Sequence, residues 1–157
     1  MAHRVLIVDD SSFMRNIIKQ IVAVDDELEV VGEAEDGVVA LQRERELKPA
    51  VILLDIEMPK LDGLSTLKRL KLTSKAKVVI LSSVAQLGSA AAQDSRRLGA
   101  FDVIAKPSGA ISLDLKAKRG HEILRTVRTA LGLAPIDLAQ LARKAHERKE
   151  DHVPGAS

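Results

Sequence analysis

Four short apolar runs of the sequence are each followed at once by side chains that can bind a metal ion or a phosphoryl group. These side chains are, in chain order, Asp9 and Asp10, Asp55, Ser82 and Ser83, and Lys106. Carboxylates that lie close together raise one another's pKa unless a cation is present among them. Oxygen ligands without histidine or cysteine favour Mg²⁺ (or Mn²⁺), and a carboxylate beside such a metal can attack phosphorus. With Ser82 and Lys106 hydrogen-bonded to the phosphoryl oxygens, these residue types indicate a metal-dependent phosphoryl acceptor.

The order of elements predicts that these residues meet. Apolar runs alternate with stretches of helical period, and near-continuous apolar strands separated by helices indicate a parallel sheet buried on both faces. We predict strands at Val5–Val8, Leu28–Val31, Val51–Leu54, Val78–Leu81 and Val103–Ala105, and helices at Ser12–Val24, Gly37–Lys48, Gly63–Thr73, Ser89–Leu98 and Arg119–Leu131. Right-handed crossovers then give a doubly wound α/β fold. Ligands of such sheets bind at the carboxyl ends of the strands, where the polar residues stand.

The first and last of these helices carry specific expectations. Ser11 or Ser12 can cap the first helix, and Phe13, Ile17 and Ile21 recur on one face that we expect to be buried. Gly132 is placed to end the last helix.

Composition excludes several classes of protein. The chain has 157 residues and no cysteine, so it fits about one domain and cannot form disulfides or zinc–thiolate sites. No apolar run approaches the ~18 residues of a membrane span, and the first residues do not read as a signal peptide, so we expect a cytoplasmic protein without membrane contact. The net charge is +2, and no helix-turn-helix fits after residue 131, so we expect no nucleic-acid partner.

The motifs around the polar residues resemble the receiver (response-regulator) family. They read VLIVDDSSFMR, VILLDIEMPKLDGL, VVILSS and LGAFDVIAKPSG, and the resemblance covers residues 4–109 and extends to about 131. The Ser82-Ser83 pair and the Ser112–Leu115 stretch after Lys-Pro-Ser-Gly are closest to the receiver half of chemotaxis protein-glutamate methylesterases. The resemblance implies a flavodoxin-like, five-stranded receiver domain at residues 1–131, phosphorylated by a histidine kinase.

The same resemblance implies a role for each site residue. Asp55 would be the phosphoacceptor, and Mg²⁺ would be held by Asp10, Asp55 and the Glu57 backbone carbonyl, with Asp9 acting through a water. Ser82, Ser83 and Lys106 would bind the phosphoryl group or switch with it, and the Lys106–Pro107 peptide is a candidate for the cis isomer. The output face would include Val103, which stands where the family usually has an aromatic residue, and Phe101, two residues earlier.

The C-terminal residues set limits on these readings. Residues 132–150 are predicted to form an additional helix or linker. Its apolar stripe of Leu138, Leu141 and Ala145 could dock on the receiver or form a homodimer. Residues 151–157 are predicted to be a disordered tail. The 26 residues after position 131 leave no room for an esterase domain, so we expect no enzyme activity beyond self-dephosphorylation.

Three readings of the chain stay open. The chain could be a receiver that signals through an unknown downstream protein, a phosphate sink, or the regulatory fragment of a methylesterase. A haloacid-dehalogenase-like phosphatase is disfavoured because Glu57 stands where that class needs a second aspartate.

Overall fold

A five-stranded parallel sheet forms the centre of the protein. The computed structural model describes residues 2–58, 62–107 and 113–135, and of residues 113–119 it describes the backbone alone. The strands are β1 (His3–Val8), β2 (Leu28–Ala34), β3 (Val51–Asp55), β4 (Lys77–Ser82) and β5 (Asp102–Ala105), in the order β2-β1-β3-β4-β5. All neighbouring strands run parallel. The predicted doubly wound fold is therefore confirmed.

Within the described ranges, five α-helices connect and flank the strands. They are α1 (Ser12–Val22), α2 (Gly37–Leu47), α3 (Gly63–Thr73), α4 (Ala90–Arg97) and α5 (Leu113–Ala130), and a short 3₁₀ turn at Val84–Gln86 precedes α4. The side chains of Ser11, Asp36, Asp62 and Ser89 each accept a hydrogen bond from a backbone N–H in the first turn of α1, α2, α3 and α4. Helix α5 begins six residues before the predicted start. The prediction was short because it rested on an apolar stripe that begins only at Ile123.

Each face of the sheet has its own apolar core. On one face, alternate strand residues pack against Ile18 and Val22 of α1 and against Ile123 and Val127 of α5. On the other face, the intervening strand residues pack against α2, α3 and α4. Since successive strand side chains point to opposite faces, a strand between two helical layers must be apolar throughout. This arrangement keeps the strands rigid and leaves their ends free for polar residues.

The buried face of α1 differs from the prediction at its first residue. Ile17, Ile18 and Val22 are buried, whereas Phe13 is 63% exposed. Helix α1 runs antiparallel to β1, so its first turn lies at the carboxyl edge of the sheet, beyond the core. The spacing of Phe13 and Ile17 was correct for one helix face, but the sheet does not extend far enough to cover the phenyl ring.

A buried ion pair fixes the C-terminal end of α5. The Arg128 side chain is 6% exposed, and its Nη1 lies 2.8 Å from Asp25 Oδ2 and 3.1 Å from Glu27 Oε2. Its Nε also donates a hydrogen bond to the Ala134 carbonyl at 2.8 Å. Arg128 therefore joins α5 both to the loop between α1 and β2 and to the backbone that follows the helix.

The residues that follow α5 are described only as far as position 135. Gly132 has φ +72° and ends the helix as predicted. The rest of the predicted helix or linker at 132–150, its apolar stripe and the predicted tail at 151–157 lie outside the described residues. Among the described helices, none has the length and apolar character that a membrane crossing requires.

Replacing Arg128 by methionine should destabilise the fold by about 3 kcal/mol, because the substitution leaves the buried Asp25 carboxylate without its partner. The matched control is Arg125→Met, on the exposed side of the same helix, for which we expect a change within about 0.5 kcal/mol. Urea unfolding of both variants measures the difference. Equal losses of stability in the two variants would contradict a structural role for the ion pair.

Candidate phosphoryl-acceptor and metal site

Backbone hydrogen bonds between neighbouring strands hold the candidate site residues at one edge of the sheet. The Asp9 N–H donates to the Ala34 carbonyl at 3.0 Å, just past the end of β1. The Lys106 N–H donates to the Ser82 carbonyl at 2.8 Å, just past the end of β5. Asp55 itself is the last residue of β3 and pairs with Leu81 of β4. The four predicted strand ends thus meet at the carboxyl edge of the sheet.

Lys106 binds two buried carboxylates. Its Nζ lies 3.1 Å from Asp55 Oδ1 and 3.8 Å from Asp9 Oδ2, and both aspartate side chains are 1% exposed. Asp55 Oδ1 also accepts the backbone N–H of Glu57 at 3.1 Å, and Asp9 Oδ1 accepts that of Ser11 at 2.9 Å. One oxygen of each carboxylate is therefore fixed by hydrogen bonds from the backbone.

The second oxygen of each buried carboxylate has no hydrogen-bond partner within the described ranges. These atoms are Asp9 Oδ2 and Asp55 Oδ2. Carboxylate oxygens of the buried Asp9 and Asp55 and of the exposed Asp10 come within 4.8 Å of one another. Three carboxylates and one ammonium carry a net formal charge of −2 when all are ionised. Unsatisfied buried oxygens in an all-oxygen donor set fit a hard divalent cation such as Mg²⁺.

Burial and charge shift the protonation of all three central groups. Burial raises the pKa of Asp9 from 3.8 to about 6, and the nearby Asp55 and Asp10 carboxylates add to that rise. Burial likewise raises the pKa of Asp55, although the Lys106 ammonium opposes the shift. Burial alone would lower the pKa of Lys106, but the Asp55 and Asp9 carboxylates outweigh it and the net pKa is raised. The site thus holds more negative charge than its surroundings favour.

The two serines lie at the carboxyl end of β4, beside the strand that ends in Asp55. Ser82 is the last residue of β4 and is fully buried, and its hydroxyl donates to the Ser83 carbonyl at 3.3 Å. Ser83 follows at half-buried depth and begins the 3₁₀ turn. The structure brings Asp9, Asp10, Asp55 and Lys106 together directly, and it places Ser82 at the neighbouring strand end with a hydroxyl held by one long hydrogen bond.

Glycine at position 63 allows α3 to start directly against the end of β3, the strand that carries Asp55. A Cβ atom there would lie 2.5 Å from Ile56 Cα and 2.6 Å from the Asp55 carbonyl oxygen. The Gly63 N–H donates to the Ile56 carbonyl at 3.2 Å. The first turn of α3 is therefore in contact with the backbone that carries Asp55.

The peptide bond between Lys106 and Pro107 is trans, and no cis peptide bond occurs among the described residues. The prediction of a cis bond is therefore wrong for this structure. Trans is the lower-energy isomer of an X–Pro bond by about 0.5–1 kcal/mol. It is also compatible with the Lys106 side chain in contact with Asp55.

The two residues assigned to an output face have different environments. Val103 is 4% exposed and packs in the core beneath α2, α3 and α4, whereas Phe101 precedes β5 and is 40% exposed. The Val103 carbonyl accepts a hydrogen bond from Arg96 of α4 at 3.3 Å. Their part in an output stays a prediction.

Sequence reasoning missed a second polar cluster beside the site. Arg15 Nη1 donates to the Asp9 carbonyl at 2.7 Å, and its Nε donates to Glu33 Oε1 at 3.1 Å. Glu33 also pairs with Lys19 at 2.9 Å. Glu33 stands near the carboxyl end of β2, so the strand-end rule that found the other residues would have found it too.

Comparison with known proteins assigns a family. The sequence profile of the response regulator receiver domain matches residues 5–129. A curated relative, protein-glutamate methylesterase/protein-glutamine glutaminase 1 of Syntrophomonas wolfei, is 48% identical over 127 residues, which are 81% of this chain and 36% of that protein. The chain thus spans about a third of the length of the curated relatives it matches.

Solved structures agree with the sequence comparison. The response regulator domain of Thermotoga maritima CheB superposes with a TM-score of 0.76 at 41% identity, covering 86% of this chain and all of that one. A chain in the complex of the CheA3 P1 domain with CheY6 from R. sphaeroides superposes with a TM-score of 0.69 at 41% identity. The match covers 83% of this chain and 97% of that one. A chain in the CheX–CheY–BeF₃–Mg²⁺ complex from Borrelia burgdorferi superposes with a TM-score of 0.68 at 26% identity. The match covers 82% of this chain and 89% of that one.

The parallel five-stranded sheet and the acidic cluster at its carboxyl edge are features of a receiver domain. The chain belongs to the response regulator receiver domain family. Among receivers, it is similar to those of chemotaxis methylesterases, as the sequence motifs predicted.

Replacing Asp9 by asparagine should stabilise the metal-free protein at pH 8 but not at pH 4. Because the folded-state pKa is raised from 3.8 to about 6, the wild type loses stability as the pH rises through this range, by up to about 3 kcal/mol. The neutral amide does not carry that cost. Thermal unfolding at both pH values in EDTA measures the difference.

The control for this experiment is Asp94→Asn, an exposed carboxylate on α4. We expect it to change the melting temperature little at either pH. A stabilisation by Asp9→Asn that is equal at pH 4 and pH 8, or a loss of stability at pH 8, would show that burial of the Asp9 charge is not costly.

Proposed function

We propose that the protein is a phosphorylatable receiver whose Asp55 accepts a phosphoryl group from a phosphohistidine of a histidine kinase. The observation that carries this proposal is the state of the Asp55 carboxylate. One oxygen is held by Lys106 and the Glu57 N–H, and the other is buried with no hydrogen-bond partner in the described part of the chain.

The free oxygen, Asp55 Oδ2, is the candidate nucleophile. In the proposed transfer, a carboxylate oxygen forms a bond to phosphorus while the bond from phosphorus to the histidine nitrogen breaks, and that nitrogen keeps the electron pair. The two hydrogen bonds to Oδ1 fix the carboxylate plane. Fixing the plane reduces the entropy cost of bringing the reacting atoms together.

Lys106 and Ser82 are the candidate ligands of the transferred group. Lys106 already lies at the carboxylate through a 3.1 Å ion pair, so its ammonium can move to a phosphoryl oxygen at little cost. The Ser82 hydroxyl makes one 3.3 Å bond, which it can exchange for a charge-assisted one. A shift of Ser82 would alter the loop at Ser83 that leads to α4.

Asp9, Asp10 and Asp55 would hold a divalent metal, together with the Glu57 backbone carbonyl. When bound, Mg²⁺ would offset the negative charge of the carboxylates and of the phosphoryl oxygens. The support is the net charge of the cluster and its two buried oxygens that have no hydrogen-bond partner in the described part of the chain. The B. burgdorferi relative was solved as a complex that contains Mg²⁺ and BeF₃.

A kinase of chemotaxis type is the proposed phosphoryl donor. A similar chain from R. sphaeroides was solved with the P1 domain of CheA3. The downstream partner would be a cytoplasmic protein that reads the surface around α4, β5 and α5. In this proposal the chain acts by protein contact and has no esterase activity of its own.

A second candidate is the regulatory module of a methylesterase. The 48% identity to the S. wolfei protein and the superposition on the T. maritima CheB domain favour it. In that case phosphorylation of Asp55 would control a catalytic domain rather than a separate partner. Binding of the phosphorylated chain to an isolated methylesterase domain would support this candidate over a separate downstream partner.

Intact-mass measurement after incubation with acetyl phosphate tests the proposed function. We expect a mass gain of one phosphoryl group in the wild type with Mg²⁺, and none in EDTA or in Asp55→Asn. Asp94→Asn is the control, since it removes an exposed carboxylate elsewhere and should still gain the group.

Two results would count against the proposal. One is a phosphoryl gain in Asp55→Asn equal to that of the wild type, which would place the modification elsewhere. The other is no gain in the wild type from either acetyl phosphate or a phosphorylated CheA-type P1 domain.

A further inference from the structure

Arg15 makes two hydrogen bonds that connect the acidic loop to a strand on its other side. Its guanidinium donates from Nη1 to the Asp9 carbonyl at 2.7 Å and from Nε to Glu33 Oε1 at 3.1 Å. The side chain is only 16% exposed. A planar guanidinium with two acceptors in fixed directions is a rigid connection, unlike a single surface ion pair.

Glu33 is held independently of Arg15. Its second oxygen, Oε2, binds Lys19 Nζ at 2.9 Å, one turn further along α1. This contact, with burial opposing and Arg15 assisting, lowers the pKa of Glu33. Glu33 also lies within β2, in register with Ile7 of β1. The acceptor that Arg15 uses is thus fixed to the sheet and not to the loop.

The loop that carries Asp9 and Asp10 needs such a connection. Carboxylates that come within 4.8 Å of each other repel, and Asp9 and Asp10 stand in the segment between β1 and α1, outside the sheet ladder. The Asp9 N–H is bound to Ala34 of β2, and the Asp9 carbonyl is bound to Arg15. Both backbone groups of Asp9 are therefore attached to groups outside its own loop.

The charge of Arg15 is not what links it to the site. The charges with the largest effect on the pKa of Asp9 belong to Asp55, Lys106 and Asp10. The contact from Arg15 is to the Asp9 backbone carbonyl and not to the carboxylate. Its effect on the acidic cluster must act through the position of the Asp9 backbone.

We propose that Arg15, held by Glu33, is a positioning residue that sets the geometry of Asp9 and Asp10 for binding a divalent cation. This inference rests on the proposed function, because it assigns Arg15 to the same metal site. Outer residues that orient ligands typically change metal affinity by roughly 10–100-fold when they are lost. Arg15 touches no metal ligand atom and is not itself a ligand.

The test measures the Mg²⁺ dissociation constant by calorimetry at pH 8 for the wild type, Arg15→Met and Arg15→Lys. We expect both variants to bind Mg²⁺ roughly 10-fold more weakly, because lysine keeps the charge but cannot bond Glu33 and the Asp9 carbonyl together. The rate of phosphorylation by acetyl phosphate should recover to the wild-type value when Mg²⁺ is raised to saturation. A merely structural defect would instead lower the rate at every Mg²⁺ concentration.

Arg4→Met is the matched control. Arg4 lies on β1 at the opposite edge of the sheet and also donates from its guanidinium to a backbone carbonyl, that of Leu47, at 2.6 Å. The substitution removes the same kind of hydrogen bond far from the acidic cluster. We expect its Mg²⁺ dissociation constant to stay within about 2-fold of the wild type, a difference too small for an orienting residue.

The outcomes separate this inference from the function on which it rests. If Arg15→Met binds Mg²⁺ as tightly as the wild type, the positioning role alone is overturned. It is also overturned if Arg15→Met binds Mg²⁺ more weakly but Arg15→Lys binds it like the wild type, since a positive charge would then be sufficient. An equal loss in Arg4→Met would also overturn it. If the wild type binds no Mg²⁺ and accepts no phosphoryl group, the proposed function fails and this inference fails with it.

Discussion

The constraint on which the rest of the structure depends is the placement of two buried aspartates around a single lysine. Asp9 and Asp55 are each 1% exposed, Asp10 adds a third carboxylate, and Lys106 balances only one charge. Burying unbalanced charge costs free energy, and burial raises the pKa of Asp9 for this reason. A fold can keep such a cluster only if the surrounding backbone is rigid. Here the two apolar cores and the strand-to-strand hydrogen bonds supply that rigidity.

The sheet topology explains why these residues meet although they are far apart in the chain. The order β2-β1-β3-β4-β5 puts β1 beside β3, so the motif that carries Asp9 and Asp10 becomes the neighbour of the motif that carries Asp55. The strand ends carry the carboxylates, and the outer strands supply what supports them. Lys106 comes from the β5 side, and the Arg15–Glu33 contact comes from the β2 side. Lys106 thus contacts the carboxylates from one flank, and the Arg15–Glu33 ion pair holds the Asp9 backbone from the other.

The sequence was sufficient for the fold class and for the central site. Asp9, Asp55 and Lys106 follow runs whose period identifies them as strand ends, and that placement needs no tertiary detail. Other features depend on geometry that spacing does not encode. Phe13 has the right period but lies beyond the edge of the core, and the buried pair of Arg128 with Asp25 joins residues 103 positions apart.

The most direct test of the buried acidic cluster is the number of protons released when Mg²⁺ binds. Calorimetry in two buffers of different ionisation enthalpy measures this number at pH 6 and at pH 8. Since the pKa of Asp9 is about 6, we expect roughly half a proton or more to be released per Mg²⁺ at pH 6 and almost none at pH 8. Binding without proton release at pH 6, or no binding at either pH, would contradict the account.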